Sequence, residues 1–304
     1  MSGIIRVDNS RLSGVASCST LAATAYVCGY QGQGEPAPRK AGKDAHASLA
    51  MFFVNKGNVD LAMAKFQTDY KKFAEENVPP GDRLSWENLE IIMREYYEQH
   101  PIERFPFEPI EGSEEQAISA MLTDTVEAWG VLDLRSREKT TGARYVVDHK
   151  TTGRITSWWT KQFRLGSQLS QYIWLDAQES GEIVTGAFIN AIEFGKLPSG
   201  TAKCYKHKTP KDECSRYHAK WELLITSRSP ASIQSWLTDA RALARKFELI
   251  GKACPSIEMI QYMPQEGRFN GSCTFCQFRD FCDAGRKPEL VEPMLVYAPW
   301  EPWN

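Results

Sequence analysis

Two apolar segments that each contain an isolated acidic residue constrain the fold of this chain most strongly. They are "WGVLDL" (129–134), with Asp133, and "ARYVVDHKTT" (143–152), with Asp148. Both have the composition of buried strands, and residues 140–142 between them are typical of a turn. An acid in an apolar strand is costly to bury unless it is paired or bound to a cation. We therefore expect two neighbouring strands whose carboxylates reach one edge of a sheet.

The spacing of Asp148 and Lys150 indicates what these carboxylates do. Side chains alternate between the faces of a strand, so Asp148 and Lys150 share one face and His149 lies on the other. Carboxylate oxygens, water and phosphate are ligands of Mg²⁺, and a lysine beside them can hold a water or balance charge on a phosphate. A strand-end salt bridge plus a turn acid explains the same residues, and the two strands alone leave both interpretations open.

The pattern of the whole chain predicts an α/β fold. Helical spacing indicates helices at 19–31, at 43–76 (two helices broken near Gly57), at 85–100, at 161–179 and from Ser229 to about Gly251. Strand patterns lie at 103–111, 118–138, 143–152, 183–194 and 220–228. The order predicts a helix, a three-strand meander, a helix and a strand, in a mixed central sheet with added helices.

We expect one domain over residues 1–304, made of five consecutive segments. These are an N-terminal helix and loop (16–41), the core (42–195), a lysine-rich insertion and strand (196–228), a C-terminal helix with a cysteine cluster (229–283) and a Pro/Trp tail (284–304). The tail either packs back on the body or docks a partner, and the sequence does not choose between these.

Charge and hydropathy narrow the class of protein. A net charge of −2 argues against a protein that coats nucleic acid by bulk electrostatics, although it permits a local basic groove. The chain has no apolar run of 18 residues and no signal-peptide pattern at its start, so we expect a cytoplasmic protein without a membrane partner.

Two helical signals flank the acidic strands. Gln168 and Tyr172 are four residues apart, on one face of a helix, and His46 follows Gly42 by four residues. Taken singly, a helical histidine or a Gln/Tyr pair is usually a surface or packed residue. Their order along the chain, with His46 before the two acids and the Gln/Tyr pair after them, is what points to a functional site.

With these motifs in order, the chain resembles the PD-(D/E)xK nuclease superfamily. The likeness is closest to its RecB-like branch, which includes the CRISPR-associated and AddB-type nucleases, and it covers residues 16–283. The matching positions are Gly42 to His46 (G-xxx-H), Gly130 to Asp133 (the first acid), Asp148 to Lys150 (D-x-K) and Gln168 to Tyr172 (Q-xxx-Y).

The resemblance implies a restriction-endonuclease-like core that hydrolyses DNA with Mg²⁺ or Mn²⁺ and a water nucleophile. It implies that His46, Asp133 and Asp148 are side-chain metal ligands and that the carbonyl of His149 is a backbone ligand. Lys150 would be the catalytic lysine, and Gln168 and Tyr172 would orient the active site and the DNA. An exonuclease for ends or single strands, in recombination, repair or phage replication, is the expected activity.

Other functions fit the same sequence. One is a catalytically inactive iron–sulfur subunit that binds DNA within a larger nuclease–helicase assembly, although the intact acidic set argues against it. A structure-specific endonuclease and a zinc-bearing adaptor are the others. The chain has no G-x4-GK(S/T) motif, so unwinding would require a helicase or recombinase partner.

Three cysteines near the C-terminus predict a metal site. Cys273, Cys276 and Cys282 form C-x2-C-x5-C, and in a reducing compartment such spacing favours metal over disulfides. A fourth ligand is required, and the candidates are Cys18, Cys28 and Cys254. The resemblance selects Cys28, although Gly29 follows it where the family often has proline. It implies a 4Fe–4S cluster of structural role, with zinc as the rival, and leaves Cys18 and Cys254 as buried thiols.

A second group of metal-ligand residues lies in the lysine-rich insertion. Cys204, His207, Cys214 and His218 form C-x2-H-x6-C-x3-H, which resembles a small zinc site. A hairpin loop explains these residues equally well.

The segment after the D-x-K strand predicts a surface for DNA. Arg154, Lys161 and Arg164 would contact phosphates, while Trp158 and Trp159 offer stacking surfaces for unpaired bases. The alternative is that a tryptophan packs into the core. "YKHKTPK" (205–211) would form the opposite wall. No base-reading motif is present, so the expected partner is single-stranded DNA or duplex ends without sequence specificity.

Overall fold

The computed structural model describes residues 4–195 and 220–301. The α-helices in these ranges are α1 (Asn9–Ser17), α2 (Ser19–Ala22), α3 (Ala37–Val54), α4 (Val59–Asn77), α5 (Trp86–Gln99), α6 (Ser157–Lys161), α7 (Ser167–Ser180), α8 (Pro230–Ala253), α9 (Gly267–Asn270), α10 (Arg279–Asp283) and α11 (Val291–Met294). A π-helical turn over Ala23–Val27 continues α2. Short 3-10 turns lie at Ile102–Arg104, Gln162–Arg164, Ile257–Tyr262, Ser272–Phe275 and Pro288–Leu290.

The strands form three sheets. They are β1 (Ile5–Val7), β2 (Tyr30–Gly32), β3 (Phe107–Pro109), β4 (Gln116–Thr123), β5 (Val126–Leu132), β6 (Leu134–Glu138), β7 (Arg144–Thr152), β8 (Val184–Glu193), β9 (Trp221–Ser227) and β10 (Leu295–Tyr297). A five-stranded sheet has the order β3-β6-β7-β8-β9, a three-stranded sheet has the order β1-β5-β4, and β10 pairs with β2. In the five-stranded sheet β7 and β8 are parallel and the other pairs are antiparallel. The predicted mixed α/β fold is therefore present.

The expected three-strand meander is present as β3, β6 and β7, which pair antiparallel in that order. The predicted middle strand, 118–138, is broken into β4, β5 and β6, and only β6 belongs to the meander. Strand β5 instead lies between β4 and β1 in another sheet. Alternating burial identifies a strand from its own residues, whereas its partner depends on segments distant in sequence. The sequence analysis also missed α1 and placed the start of α3 in a loop, although proline at the second helical position is tolerated.

The chain divides into two compact units. Unit 1 comprises residues 1–34, 117–131 and 229–304, and unit 2 comprises residues 35–116 and 132–228. Neither unit follows the five consecutive segments expected from the sequence, because each is assembled from stretches that are distant along the chain. The single-domain organisation stays a prediction.

Unit 2 is built on the five-stranded sheet. Helices α3, α4 and α5 pack together in a large apolar core with one face of its strands, through side chains such as Phe52, Phe66, Tyr97, Val147 and Phe188. Helix α7 packs against β7 and β8. Strand β7, whose C-terminal half carries Asp148 and Lys150, is thereby packed between helix α7 and the helices α3, α4 and α5.

A buried ion pair fixes α7 to β7. The guanidinium of Arg144 donates two hydrogen bonds of 2.8 Å to the carboxylate of Asp176, which is fully buried. Arg135 on β6 lies 3.1 Å from the same carboxylate and also pairs with the exposed Glu179. The buried carboxylate of Asp176 therefore pairs with the guanidinium groups of both Arg135 and Arg144.

Asp176→Asn is expected to lower the free energy of unfolding by about 3–5 kcal/mol, because two buried guanidinium groups lose their buried anion and keep only the partly exposed Glu179 and Glu182. The control is Glu179→Gln, which removes an exposed partner of Arg135 and should cost less than about 1 kcal/mol. Urea denaturation of both variants measures the difference. Equal effects in the two variants would contradict this account of the pair.

Unit 1 contains the C-terminal tail. The indole of Trp300 donates a hydrogen bond of 2.8 Å to Asp8, and its ring packs edge-on against Tyr26. Strand β10 pairs with β2 just before it. Between the two alternatives left by the sequence, the described part of the tail packs back on the chain.

None of the helices in the described ranges has the length and apolar character needed to cross a bilayer.

Candidate functional site

The paired residues of the D-x-K motif lie near the end of β7. Lys150 Nζ is 2.7 Å from Asp148 Oδ1, as expected for side chains on one face of a strand. Asp148 is 1% exposed, and its second oxygen, Oδ2, is buried with no hydrogen-bond partner among the described residues. A buried carboxylate oxygen without a partner is costly. This atom is therefore free to bind a cation.

Asp133 lies between β5 and β6, where the regular strand is interrupted. Its Oδ2 accepts a hydrogen bond of 2.6 Å from the backbone N–H of His149 and lies 3.4 Å from His46 Nδ1. The two acids are thus joined through the backbone of the D-x-K strand. The structure brings His46 beside Asp133 from α3, and Asp148 lies near enough for the charges of both to act on its carboxylate.

The glycine of the G-xxx-H segment explains how α3 reaches this position. A Cβ atom on Gly42 would lie 3.0 Å from Thr151 Oγ1, at the limit of what real structures tolerate. Glycine therefore permits the close approach of α3 to β7, one helical turn before His46.

Charges at the site shift the pKa values in a consistent pattern. Burial acts to raise the pKa of Asp133, but the charge and hydrogen bond of His46, with the charges of His149 and Lys150, together outweigh it, and the pKa is lowered. Burial acts against protonated His46, yet Asp133 prevails and raises the pKa of His46. For Asp148 burial exceeds the effect of Lys150, so its pKa is raised. The site holds one firmly ionised carboxylate and one that a cation would stabilise in the ionised form.

Glu115 joins this site, although the sequence analysis did not identify it. Ligand atoms of His46, Glu115 and Asp133 all lie within 4.8 Å of one another. The backbone N–H of Glu115 donates a hydrogen bond of 3.1 Å to the carbonyl of Asp133, and its φ of 50° is unusual for a residue other than glycine. Loss of solvent and the charge of Asp133 raise the pKa of Glu115 to about 7. The only sequence signal was an acidic turn, "EGSEE" (111–115).

Glu115→Gln is expected to weaken the binding of Mn²⁺ by at least about tenfold, because the site loses one carboxylate ligand. Since the Glu115 carboxyl is protonated below its pKa of about 7, the difference between the variant and wild type should shrink as the pH falls from 8 to 6. Titration with Mn²⁺ at both pH values measures this. Glu114→Gln is the control, and a Glu115→Gln variant with wild-type affinity at pH 8 would refute a ligand role.

The Gln168 and Tyr172 pair lies on α7 as the helical spacing predicts. Gln168 Nε2 donates a hydrogen bond of 2.9 Å to the Tyr172 hydroxyl. The pair belongs to the helix that packs against β7. Its role in orienting DNA stays a prediction.

The basic segment after β7 exposes its charged residues. Arg154, Lys161 and Arg164 are exposed, and Trp158 is 84% exposed. Trp159 is half-buried and packs edge-on against Phe163, with ring centroids 4.8 Å apart. Of the two tryptophans, Trp158 is therefore available for stacking and Trp159 serves packing.

Comparison with known protein families decides the family of this chain. The family model of the PD-(D/E)XK nuclease superfamily matches residues 9–283. The chain belongs to the PD-(D/E)XK nuclease superfamily. Nucleases of this superfamily are hydrolases that act on DNA and use divalent metal ions, and the mixed α/β fold is consistent with their restriction-endonuclease-like core.

Comparisons with solved structures and with curated proteins do not narrow the activity of this chain. A crystal structure of a protein from Eubacterium rectale, provisionally named an exonuclease, has a TM-score of 0.45 and 11% sequence identity, and the match covers 81% of each chain. A likeness at this level carries no argument about activity. No curated protein matches the chain at a significant level.

Unit 1 of this superfamily member contains a cavity lined by cysteines. Cys18, Cys273, Cys276 and Cys282 line a cavity of about 200 Å³. A Cβ atom on Gly267 would lie 3.1 Å from the Cys273 sulfur, so glycine keeps the wall of the cavity open. Burial raises the pKa of Cys276, and raises that of Cys282 to about 11, so both thiols are protonated at neutral pH without a metal.

The cavity brings a different fourth cysteine beside the C-terminal three from the one that the resemblance selected. Cys28 does not line it, and its sulfur lies 4.0 Å from that of Cys254. Cys18, which directly follows α1, does line the cavity. Which cysteine would serve as a fourth metal ligand stays a prediction.

The distances between the cysteine sulfurs can be compared with those of a tetrahedral zinc site. Tetrahedral zinc bonds of about 2.3 Å place thiolates about 3.8 Å apart. Among the described residues, no three of the cysteine sulfurs lie within 4.8 Å of one another. The four thiols are therefore arranged more openly than a single zinc ion requires.

Other predicted residues lie outside the part of the chain that the structure describes. These are Cys204, His207, Cys214 and His218, together with the basic segment 205–211.

Proposed function

We propose that this chain is a metal-dependent deoxyribonuclease that acts as an exonuclease on DNA ends or single strands. The observation that carries the proposal is the convergence of His46, Asp133, Asp148 and Lys150 in a member of a DNA nuclease superfamily. Together these side chains offer the metal ligands and the cation that phosphodiester hydrolysis requires.

The donor set fits Mg²⁺ or Mn²⁺. Carboxylate oxygens of Asp133, Asp148 and Glu115, with one imidazole of His46, are hard ligands of the kind these ions prefer. The unpartnered Oδ2 of Asp148 and the His149 carbonyl would complete the set. When bound, such an ion activates water and polarises the phosphate.

The roles of the side chains follow from their positions. Lys150 keeps its ammonium group 2.7 Å from Asp148, from where it can orient a water and balance negative charge on the phosphate. His46 and the backbone N–H of His149 hold Asp133 ionised. Gln168 and Tyr172 would orient the scissile strand from α7.

The segment from Arg154 to Arg164 would bind the DNA backbone and bases. Exposed arginine and lysine side chains attract phosphates, and the exposed indole of Trp158 offers a face to an unpaired base. The absence of a base-reading motif supports binding without sequence specificity.

Trp158→Ala is expected to weaken binding of single-stranded DNA by about 1–3 kcal/mol, because one base loses its stacking surface. Leu165→Ala is the control, since Leu165 is equally exposed (86%) in the same segment but has no aromatic ring. Fluorescence anisotropy of a labelled oligonucleotide measures both. A similar small loss in the two variants would remove Trp158 from the DNA surface.

We also propose that the cysteine cavity holds a 4Fe–4S cluster, which would place the chain in the RecB-like iron–sulfur branch. Support comes from the four thiols of Cys18, Cys273, Cys276 and Cys282, which line one cavity. The cluster would tie the N-terminal helices to the last segment and stabilise unit 1.

The biological setting follows from this activity. We propose a cytoplasmic enzyme in which both units serve one nuclease, acting in recombination, repair or phage replication. Because the sequence has no nucleotide-binding motif for unwinding, a helicase or recombinase would supply single strands.

A cleavage assay on end-labelled linear, nicked and closed-circular DNA with Mg²⁺ or Mn²⁺ tests the proposal. Loss of linear DNA alone, abolished by a chelator, is the expected result, and the label gives the polarity. Cutting of closed circles would instead indicate an endonuclease. Binding of DNA without any cleavage would favour the inactive iron–sulfur subunit.

A further inference from the structure

The side chain of His149 lies in a buried polar network on the face of β7 opposite to Asp148 and Lys150. It is 1% exposed, and its ring stacks on Phe53 with centroids 5.5 Å apart and an angle of 12°. Its Nδ1 lies 2.9 Å from Nδ2 of Asn190, the residue paired with it in β8. Asn190 is fully buried.

The directions of these hydrogen bonds are fixed by Trp221. An indole N–H is only a donor, and it contacts the Asn190 side chain at Oδ1, so that atom must be the oxygen. The other amide atom is then the nitrogen, which donates to His149 Nδ1. Tyr96, which is also buried, contacts both ends of the same amide, at 2.8 and 3.1 Å. The His149 ring is thereby held in one tautomer and one orientation.

Packing alone does not require this network. The neighbours of His149 on the same face, Val147 on β7 with Phe188 and Ile192 on β8, are apolar members of the core. A leucine in place of His149 would continue that pattern. The histidine instead leaves its Nε2 buried without a hydrogen-bond partner in the part of the chain that the structure describes, which is a cost to stability.

The backbone of His149 shows what the network serves. The backbone N–H of His149 donates the 2.6 Å hydrogen bond to Asp133. The same backbone connects Asp148 to Lys150 along β7. We propose that Asn190, supported by Tyr96 and Trp221, is a positioning residue that fixes His149 and thereby the spacing of Asp133 and Asp148 for metal binding. This inference rests on the proposed metal-dependent nuclease function.

Binding of Mn²⁺ without DNA tests the role apart from catalysis. Asn190→Leu, which has a similar size and no donor, should weaken Mn²⁺ binding by about tenfold, as the loss of outer partners of metal ligands does. Electron paramagnetic resonance of free Mn²⁺ gives the dissociation constant, and thermal denaturation confirms that each variant is folded at the temperature used.

Asn88→Leu is the matched control. Asn88 is buried in the same unit and donates to the carbonyls of Arg83 and Gly195, away from the metal site. The Asn88→Leu variant should have a lower denaturation midpoint than wild type, as Asn190→Leu does. Its affinity for Mn²⁺ should equal that of wild type. Equal Mn²⁺ affinities in the two variants would overturn the proposal.

The double variant His149→Leu/Asn190→Leu separates packing from positioning. Replacing both polar partners by apolar side chains should raise the denaturation midpoint above that of Asn190→Leu. Mn²⁺ binding should remain about tenfold weaker than in wild type. Restoration of wild-type affinity would show that packing suffices and would refute the proposal. A wild-type protein that binds no Mn²⁺ would instead refute the proposed function, and this inference with it.

Discussion

Lys150→Ala should abolish DNA cleavage, with a fall in kcat of at least about 10³-fold. The ammonium group of Lys150 is the cation placed 2.7 Å from Asp148 on the same face of β7. Its removal leaves no side chain there to orient water or balance charge on the phosphate. Single-turnover cleavage of end-labelled linear DNA measures the effect.

The fold and the DNA surface should survive this change. The half-buried Lys150 side chain donates its hydrogen bond to Asp148, so the variant should remain folded and its DNA affinity should stay near wild type. Lys139→Ala is the matched control, because Lys139 follows β6 at the opposite end of the β6–β7 hairpin. A Lys150→Ala protein that cuts DNA as fast as this control would show that the active site is assigned wrongly.

Because we propose a 4Fe–4S cluster in the cysteine cavity, we expect Cys18→Ser to contain less iron than wild type and to have a lower denaturation midpoint. Cys18 lines the same cavity as Cys273, Cys276 and Cys282, and a cluster held by thiolates cannot persist when one ligand is lost. Assays of iron and acid-labile sulfide on anaerobically purified protein, with the brown colour as a guide, measure the loss. Solubility should fall in parallel, and Cys276→Ser should behave in the same way.

Cys28→Ser provides the control that separates the two possible fourth ligands. The sulfur of Cys28 lies against Cys254, so this variant should retain iron, sulfide and stability. Loss of iron in Cys28→Ser with retention in Cys18→Ser would restore the assignment made from the sequence. Zinc without iron in the wild-type protein would refute the cluster itself.

Local spacing was enough to predict one part of the site. Asp148 and Lys150 share a face because strand side chains alternate, and Gln168 meets Tyr172 because they lie one helical turn apart. The order of these motifs along the chain also indicated the superfamily whose family model matches residues 9–283. These features depend on a few neighbouring residues, so they are visible in the sequence itself.

Other parts of the site required contacts between distant segments. Glu115 approaches His46 and Asp133 through a turn whose residues show only an acidic composition. Asn190 pairs with His149 because β7 and β8 align in one register. Trp158 and Trp159 are adjacent and identical in type, yet only packing against Phe163 distinguishes the half-buried one.

The sequence by itself determined the α/β class, the acidic strands, the catalytic lysine candidate and the three C-terminal cysteines, because each rests on short periodic spacing. Only the tertiary structure decided that β5 and β6 belong to different sheets, that Glu115 lies beside His46 and Asp133 and that Cys18 lines one cavity with the three C-terminal cysteines. The physical reason is that strand partners, helix ends and cavity walls are set by packing between segments far apart along the chain.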